Sequence, residues 1–360
     1  MSAPTENQRY KADDLTAFAA RLLVGAGLAE DISGSVAEAL VESELLGHSS
    51  HGLTLIRPYA TQVEKGLLGN SGRPETVTDR GAVLSIDGNL LPGPWVMQHV
   101  IETACQRAPE QGVVSVSVRR SGHIGCQAVY LRRVVERNLA ALLVCSVPSS
   151  AIVAPYGGTK PLFTTNPIAA CWPTDAGPVL FDFSTTITSM RHCRQLYKRG
   201  EMLPGPWLLD NQGNPSNDPA VLFGDPPGTL MPVGGVDYGH KGFGLSLLVE
   251  MLSSGLAGHG RADAPGGWTT SAFLQVFDPQ AFGGIHAFRR ETGWLAEVCR
   301  AAEAAAWQGP LDSGVHLPGD RALARRAEGL EAGIDLDETT LEDVRDLAAE
   351  RGVEMPRPID

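Results

Sequence analysis

The order of strands and helices predicted from this sequence constrains its fold more than any other feature. Residues 113–118 alternate apolar and polar side chains, as in a half-buried strand, and residues 140–147 form a continuous apolar run. Further strands are predicted at 82–86, 167–172 and 179–183, and helices at 12–24, 31–46, 53–65, 129–136 and 242–256. The chain is therefore α/β or α+β, but its strands do not alternate regularly with helices as in a doubly wound sheet.

Two glycine-rich segments need an interpretation. Val24-Gly25-Ala26-Gly27 resembles the start of a dinucleotide-binding fingerprint, but it follows a helical pattern rather than a strand, so we interpret it as the end of a helix. Residues 200–239 are rich in Gly, Pro, Asn and Asp, which predicts a long ordered loop region. Because structureless loops of this length are uncommon in compact domains, we expect this region to contribute to function.

Charge and apolar content argue against several classes of partner. The net charge is −12 and no basic cluster is present, so we expect no nucleic-acid partner. The longest apolar runs fall short of the roughly 20 residues of a membrane span, and residues 1–14 lack the apolar core of a signal peptide. The six cysteines have neither zinc-site nor disulfide-framework spacing, which indicates a reducing cytoplasm and no bound metal.

Three histidines beside glycine are the first candidates for chemistry. They lie where a loop meets a predicted helix, in Ser50-His51-Gly52, Gly122-His123-Ile124-Gly125 and Gly239-His240-Lys241-Gly242. Such a histidine can face a cleft, and imidazole titrates near neutral pH. The alternative for each is a helix cap or a core histidine bonded to a backbone carbonyl. The third segment opens a predicted helix, so its free N–H groups and Lys241 could hold a phosphate or carboxylate.

Polar residues at the ends of two predicted strands form a second set of candidates. Asp182 ends the strand at 179–183. An acid in this position contacts a ribose hydroxyl, orients a histidine or caps a helix, and the sequence leaves these possibilities open. Thr165 and Asn166 place donors and acceptors before the strand at 167–172, although by themselves they are typical of an ordinary turn.

Seven segments, taken in order, resemble those of the malate/L-lactate dehydrogenase family of the second, non-Rossmann type. That family includes L-sulfolactate, ureidoglycolate and hydroxycarboxylate dehydrogenases and piperideine-2-carboxylate reductases. The resemblance covers nearly the whole chain, and its segments are Gly47-His48-Ser49-Ser50-His51-Gly52, Ser121-Gly122-His123-Ile124-Gly125, Ala154-Pro155-Tyr156-Gly157-Gly158, Thr165-Asn166-Pro167-Ile168-Ala169, Asp182-Phe183-Ser184-Thr185-Thr186, Gly239-His240-Lys241-Gly242 and Leu317-Pro318-Gly319-Asp320.

The resemblance implies an α/β, non-Rossmann NAD(P)-binding fold of the L-sulfolactate dehydrogenase-like type, and usually a homodimer. It implies a helical lobe formed by both termini. We therefore expect an N-terminal helical lobe at 1–80, an NAD(P)-binding and substrate lobe at 81–309, and a C-terminal helical segment at 310–360 that packs on the N-terminal lobe. The implied cofactor is NAD or NADP, and the implied substrate is a small 2-hydroxy or 2-keto acid.

The resemblance also implies roles for individual residues. His51 is expected to exchange a proton with the substrate oxygen, with Ser50 as its hydrogen-bond neighbour, while hydride moves between C2 and the nicotinamide. His123 matches a histidine that serves as proton acceptor in some members. Thr165 is expected at both substrate and cofactor. The residues expected to contact the cofactor are Ser146, Thr165, Asn166, Asp182, Phe183, Ser184, His240, Lys241 and Gly242.

Several positions depart from the family pattern. Many members carry arginine five residues after the motif serine, where this chain has Leu55; Gly122 replaces Asn or His, and His192 stands where Lys or an acid is frequent. These changes leave the substrate and the partner of His51 open. The nearest arginine is Arg57, which we assign to the substrate carboxylate because a guanidinium binds carboxylate bidentately. The alternative is that Arg57 lies on a solvated helix face.

Other functions remain to be weighed. The first is an NADPH-dependent reductase of cyclic imines or 2-imino acids on the same scaffold, in which Arg191, His192 and Arg194 could hold a 2′-phosphate. A serine hydrolase using Ser50, His51 and Asp182 is disfavoured, because adjacent Ser and His rarely present nucleophile and base well and no G-x-S-x-G motif exists. The third is a nucleotide-binding protein that has lost activity.

Overall fold

Helices dominate both ends of the chain, and most strands lie between them. The structure is a computed structural model that describes residues 8–303, 305 and 314–359. Its helices are α1 Ala12–Gly25, α2 Glu30–Leu45, α3 Ile56–Glu64, α4 Gly93–Gln111, α5 Ala128–Val135, α6 Met190–Arg199, α7 Gly235–Glu250, α8 Ile285–Ala301, α9 Asp320–Ala332 and α10 Glu338–Arg351. Its strands are β1 Arg9–Tyr10, β2 Glu75–Asp79, β3 Val83–Asp87, β4 Val113–Ser121, β5 Ala140–Ser146, β6 Ile168–Trp172, β7 Val179–Phe183, β8 Leu208–Leu209, β9 Pro215–Ser216, β10 Thr229–Leu230, β11 Thr270–Phe277 and β12 Ile334–Asp335.

Apolar spacing explains the elements that the sequence predicts. Leu15, Phe18 and Leu22 are three and four residues apart in α1 and are fully buried, as one face of an amphipathic helix requires. In β4, alternate valines, Val114 and Val116, face the core. The five strands and first four helices predicted above are present, with ends shifted by a few residues.

Seven strands form one mixed sheet in the order β2-β3-β4-β11-β5-β6-β7. β3 and β4 are parallel, and the other neighbouring pairs are antiparallel. β11 comes late in the chain, yet it lies in the centre of the sheet, between β4 and β5. This order differs from the doubly wound arrangement, so the expectation of a non-Rossmann α/β fold is confirmed. The sequence analysis missed β11.

The pairing of β11 brings distant strand ends to one edge of the sheet. Thr270 at the start of β11 lies opposite Ser121 at the end of β4, and Ser271 lies opposite Ser146 at the end of β5. The start of β6 and the end of β7 meet at the same edge, because β6 runs antiparallel to both β5 and β7. We call this edge, where β4, β5 and β7 end and β6 and β11 begin, the site edge.

Helices from both ends of the chain pack together, as expected for the helical lobe. β1 pairs antiparallel with β12, α9 contacts α2, and α10 contacts α1 and α3. One hydrophobic core runs without interruption from Leu15 in α1 through Ile86 in β3 to Leu274 in β11. The helical lobe is therefore fixed directly on the sheet, and residues at their junction are held from both sides.

Two predictions about local structure need correction, and one is confirmed. The helix predicted at 242–256 begins earlier, at Gly235, because Gly234 adopts φ 100° and starts the first turn. The 200–239 region is ordered, but it contains the small sheet β10-β8-β9 rather than loop alone. The end of α1 at Gly25 confirms the helix-end interpretation of residues 24–27.

The predicted domain boundaries stay predictions. The boundary at 309–310 falls among residues 306–313, which lie outside the described residues, as do residues 1–7 of the predicted N-terminal lobe. β2, which falls inside the predicted 1–80 lobe, is hydrogen-bonded to β3 as the edge strand of the large sheet.

Replacing Leu274 with alanine should destabilise the protein strongly. Leu274 is fully buried in β11, and the cavity left by truncation costs roughly 2–5 kcal/mol. Val83→Ala is the control, because the Val83 side chain in β3 is 53% exposed and its loss should cost only about 0.5 kcal/mol. Urea unfolding followed by circular dichroism measures both changes. Equal losses of unfolding free energy would contradict the central position of β11.

Candidate active site

His51 lies in a tight turn between α2 and α3. The turn contains the short 3-10 helix Ser49–His51. The carboxylate of Glu44, near the end of α2, accepts the N–H of Leu53 at 2.7 Å and ties the turn to the helical lobe. A Cβ at position 52 would lie 2.0 Å from a Glu44 carboxylate oxygen, so a larger residue there would displace the Glu44 side chain. Gly52 therefore leaves room for the Glu44 hydrogen bond to Leu53.

His123 follows β4 at the site edge. The Tyr59 hydroxyl, from α3, donates to the His123 carbonyl oxygen, so the helical lobe also holds this loop. Gly93, at the start of α4, approaches the same oxygen so closely that a Cβ would lie 2.1 Å from it. A Cβ on Gly122 would lie 2.9 Å from the Leu91 carbonyl oxygen. The glycine that departs from the family pattern therefore fits the packing of this loop.

The two histidines face each other as parallel rings. Their centroids are 5.8 Å apart and their planes differ by 2°. Ser50 Oγ lies 2.9 Å from Nδ1 of His51, so the expected neighbour relation is present. The structure thus brings together the three residues predicted to be catalytic, although they come from different loops.

Burial lowers the pKa of both imidazoles. Desolvation lowers the pKa of His123 to about 4. The pKa of His51 is also lowered, first by burial and then by the charge that His123 would carry, while the nearby carboxylate of Asp182 acts in the opposite direction. Both rings are therefore neutral near pH 7, the state in which an imidazole can accept a proton or donate a hydrogen bond.

Hydrogen bonds distinguish the two rings. The Gly125 N–H donates to Nδ1 of His123 at 3.2 Å, so the neutral His123 ring carries its proton on Nε2 and is a hydrogen-bond donor there. Nδ1 of His51 faces Ser50 Oγ, which can accept an N–H and leave the Nε2 lone pair free. His51 therefore presents a free Nε2 lone pair in the tautomer in which Ser50 accepts its Nδ1–H.

Two aromatic residues that the sequence analysis missed complete the histidine site. Trp268, just before β11, lies 5.1 Å from the His123 ring, centroid to centroid, and meets Tyr59 edge-on at 5.6 Å. The only local signal was a tryptophan after the pair Gly266-Gly267. Trp268 reaches His123 because β11 begins opposite the end of β4.

Two residues predicted to contact the cofactor make hydrogen bonds inside the protein, and their role toward the cofactor stays a prediction. Glu250, at the end of α7, accepts hydrogen bonds from Ser146 Oγ at 2.8 Å, from Asn166 Nδ2 at 3.0 Å and from Arg261 Nε at 3.0 Å. Ser146 and Asn166 are fully buried. Their observed contacts connect the site edge to α7. Thr165 is partly exposed, and its carbonyl accepts the N–H of Thr185 at 2.9 Å.

Asp182 caps a helix that precedes it in the chain. Its Oδ2 accepts the N–H groups of Gln127 at 2.7 Å and Ala128 at 3.1 Å, so it caps the start of α5. Its charge also acts on His51. Oδ1 accepts no hydrogen bond from the described residues. The neighbouring Ser184 bonds to Thr186 at 2.9 Å.

A cavity of 980 Å³ lies beside Asp182, between β7 and the start of α9. Asp182, Phe183 and His48 line one side, and residues 315–319 the other. Phe183 is 46% exposed and stacks on Phe181 with its ring 5.2 Å away. The cavity therefore offers an open aromatic face next to a carboxylate with a free oxygen.

The third histidine segment lies elsewhere. His240, Lys241 and Gly242 lie in the second turn of α7, so the prediction that this segment opens a helix is wrong. His240 and Lys241 are exposed; His240 contacts Tyr156, and Lys241 lies over the ring of Tyr238. No described contact joins them to His51 or His123, and their role toward the cofactor stays a prediction.

The arginine assigned to the substrate carboxylate is also not brought to the histidines. Arg57 binds Glu350 of α10 through hydrogen bonds of 2.9 and 3.0 Å. These contacts place it on a solvated helix face, the alternative given above. Its substrate role stays untested, and its present partner disfavours it.

Three negative findings apply to residues 8–303, 305 and 314–359. No group of three His, Cys, Asp or Glu side chains there could hold a metal ion. No helix in this part of the chain is long and apolar enough to cross a membrane. No hydrogen bond joins Asp182 to His51 among these residues, so a Ser50-His51-Asp182 triad is not formed.

Comparison with known proteins agrees with this fold. The family model described as malate/L-lactate dehydrogenase matches residues 10–345. An L-lactate dehydrogenase from Cupriavidus necator is 30% identical over 333 residues, which cover 91% of this chain and 93% of that protein. A Delta(1)-pyrroline-2-carboxylate reductase from Ancylobacter novellus is 29% identical, covering 87% and 89%. The structure of sulfolactate dehydrogenase from Methanocaldococcus jannaschii superposes with a TM-score of 0.85 at 23% identity, covering 96% and 98%.

The family match and the relatives identify an oxidoreductase of the class that acts on hydroxy and keto acids. The chain belongs to the malate/L-lactate dehydrogenase family. The expectation drawn from the seven segments is therefore confirmed at the level of the family and the fold.

The lowered pKa of His123 predicts a pH-dependent stability. In the unfolded chain a histidine titrates near pH 6.5, but in the folded protein His123 titrates near pH 4. The unfolded state thus binds more protons between these values, and stability is lost as pH falls from about 6.5 to 4. Between pH 7 and pH 5, the unfolding free energy of the His123→Asn variant should therefore fall by roughly 1–2 kcal/mol less than that of wild type.

Urea unfolding at the two pH values measures this difference. At pH 7 the imidazole is neutral in most folded and most unfolded molecules, so the difference in unfolding free energy between variant and wild type at this pH measures the lost packing. Identical pH slopes for the variant and wild type would show that His123 is not a buried neutral ring.

Proposed function

We propose that this chain interconverts a small 2-hydroxy acid and its 2-keto acid by hydride transfer, with NAD or NADP as cofactor and His51 as acid and base. The observation that carries the proposal is the pair of neutral, facing histidines at the site edge, one of which has a serine on its Nδ1. Membership of the malate/L-lactate dehydrogenase family supports the same reaction.

Ser50 and His51 act as one unit in this proposal. With Nδ1–H donated to Ser50 Oγ, the free Nε2 of His51 accepts the proton of the substrate hydroxyl. In the reverse direction the imidazolium returns that proton to the keto oxygen and keeps its hydrogen bond to the serine. The low pKa of His51 makes its protonated form a strong acid, which favours this return.

His123 has a complementary role. Its Nε2–H, fixed by the bond from Gly125 to Nδ1, is a donor that stabilises negative charge on the substrate oxygen. This assignment differs from the proton-acceptor role found in some relatives, because accepting a proton at Nε2 requires the other tautomer. Trp268 and Tyr59 limit water beside the ring, which strengthens such a hydrogen bond.

The cavity beside Asp182 fits a nicotinamide dinucleotide. Its 980 Å³ is at the upper end of the roughly 300–1,000 Å³ of small-molecule sites. Oδ1 of Asp182 can accept a ribose hydroxyl, and the exposed face of Phe183 can pack on a ring. When bound, the nicotinamide supplies the hydride acceptor or donor. Thr165 and Ser184 border the same edge, whereas Ser146 and Asn166 support it from within.

The direct test is a panel of 2-keto acids, 2-hydroxy acids and cyclic imines with both coenzymes, followed by the absorbance of reduced nicotinamide. We expect turnover of at least one keto acid, and His51→Ala should lower kcat/KM roughly 10²- to 10⁴-fold. His286→Ala, at an exposed histidine of α8, should leave kcat/KM unchanged.

Other outcomes of this panel identify the alternatives. Reduction of cyclic imines but no keto acid would assign the chain to the reductase type, which its similarity to a pyrroline-2-carboxylate reductase makes the second candidate. Coenzyme binding without turnover of any compound would instead indicate a binding protein without activity.

The six cysteines are free thiols, which supports the proposed cytoplasmic location.

We also propose a homodimer that buries the exposed apolar surface of α7 and its continuation to residue 256. Large apolar side chains are exposed on this helix and its continuation to residue 256, namely Val236, Tyr238, Leu247, Leu248, Met251 and Leu256. A cluster of this size is unusual on a monomer and is typical of a self-complementary interface. A second copy of the chain is the partner that the family resemblance implies.

Charge placed on this face should separate the subunits. Leu247→Lys combined with Met251→Lys is expected to halve the mass measured by multi-angle light scattering, because an interface cannot bury unpaired ammonium groups. Leu330→Lys changes an equally exposed leucine on α9 and should leave the mass unchanged. A wild-type monomer, or a double variant that stays dimeric, would contradict this interface.

A further inference from the structure

A substrate with a carboxylate needs a cation near His51, and the two positions where the sequence suggests one do not supply it. Leu55 is apolar and packs against the hydrophobic core. Arg57 is directed to Glu350 on the other side of its helix. The cation must therefore come from another element.

Arg191, the second residue of α6, reaches the turn that carries His51. Its Nη1 donates to the Ser49 carbonyl oxygen at 3.0 Å and to the Thr54 hydroxyl at 3.4 Å. These contacts flank His51 on both sides in the sequence. The charge of Arg191 is also close enough to contribute to the lowered pKa of His51.

One edge of this guanidinium makes no hydrogen bond with the described residues, although its Nη2 is in a long ion pair with Asp337. Nη2 and Nε donate no hydrogen bond to any residue in the described part of the chain. The Asp337 carboxylate lies 3.7 Å from Nη2, longer than a hydrogen bond, and its two oxygens already accept from the N–H and hydroxyl of Thr340. Glu44, the other acid of this region, accepts the N–H of Leu53. The side chain of Arg191 is 31% exposed, so a ligand can reach it from solvent.

We propose that Arg191 binds the carboxylate of the substrate through Nη2 and Nε and so places the adjacent C2 oxygen at His51. This inference rests on the proposed function. In a 2-hydroxy or 2-keto acid the carboxylate is one bond from C2, so the cation that holds it must lie close to the acid–base group. Nη2 and Nε form the planar fork that binds carboxylate bidentately. In this assignment Arg191 binds the substrate carboxylate and not the 2′-phosphate of a cofactor.

Four variants test the assignment: Arg191→Met, Arg191→Lys, Arg57→Met and Arg199→Met. Arg199, on the same helix in an exposed ion pair with Glu201, is the matched control. The variants are assayed with the keto acid that wild type reduces fastest and with its primary amide. Binding of oxamate, a carboxylate that is not reduced, is measured by calorimetry in the presence and absence of NADH or NADPH.

Arg191→Met should raise KM for the acid and weaken oxamate binding roughly 10- to 100-fold, with little change for the amide. Arg191→Lys should restore part of the loss, because it keeps the charge but not the fork. Arg199→Met should behave as wild type.

Three results would overturn the assignment. Equal losses for acid and amide would show that Arg191 only holds the His51 turn. An unchanged KM and unchanged oxamate binding would remove it from the site, and a raised KM for the acid in Arg57→Met would return the role to Arg57. If wild type reduces no keto acid, the proposed function fails, and Arg191 is then judged from oxamate binding alone. Oxamate binding that is present in wild type and lost in Arg191→Met would support the anion site. No oxamate binding by wild type would exclude the anion site.

Discussion

The antiparallel insertion of β11 between β4 and β5 is the constraint on which the candidate site depends. Because neighbouring strands then run in opposite directions, the ends of β4, β5 and β7 meet the starts of β6 and β11 at one edge. His123 leaves the sheet at that edge, and Trp268 enters it there, so residues from distant parts of the chain become neighbours. Without β11, the His123 ring would lose its contact with Trp268.

The second requirement is the junction between the helical lobe and the sheet. His51 belongs to the lobe and His123 to the sheet, so the distance between their rings depends on how these two parts pack. The continuous hydrophobic core fixes that packing, and the Tyr59 hydroxyl adds a direct bond to the His123 loop. The same burial that fixes the rings also lowers the pKa of each, so structural rigidity and proton chemistry have one physical origin.

Local sequence predicted many elements of this molecule, but it missed the strand β11 and the pairings between distant strands. The turn residues Ser50, His51 and Gly52 were identifiable because a histidine between a serine and a glycine is a recognisable candidate for proton transfer. β11 is a clear apolar run, but its central position follows from pairings across the whole chain, and Trp268 becomes part of the site only through that pairing. Ser146 has a polar side chain at a strand end, as a cofactor contact would, yet it bonds to a glutamate of α7 that no local pattern connects to it.

The departures from the family pattern differ in their consequences. Ser50, His51 and His123 lie together, and Gly122 avoids a close contact with the backbone of residue 91. The changes with chemical consequences lie at the anion-binding side, where Leu55 joins the core and Arg191 reaches the same turn from α6. A cation that enters from another helix approaches the carboxylate from a different direction. The space for the rest of the substrate differs when the carboxylate is held from this direction. The acid that fits this site is therefore determined by α6 rather than by the turn that carries His51.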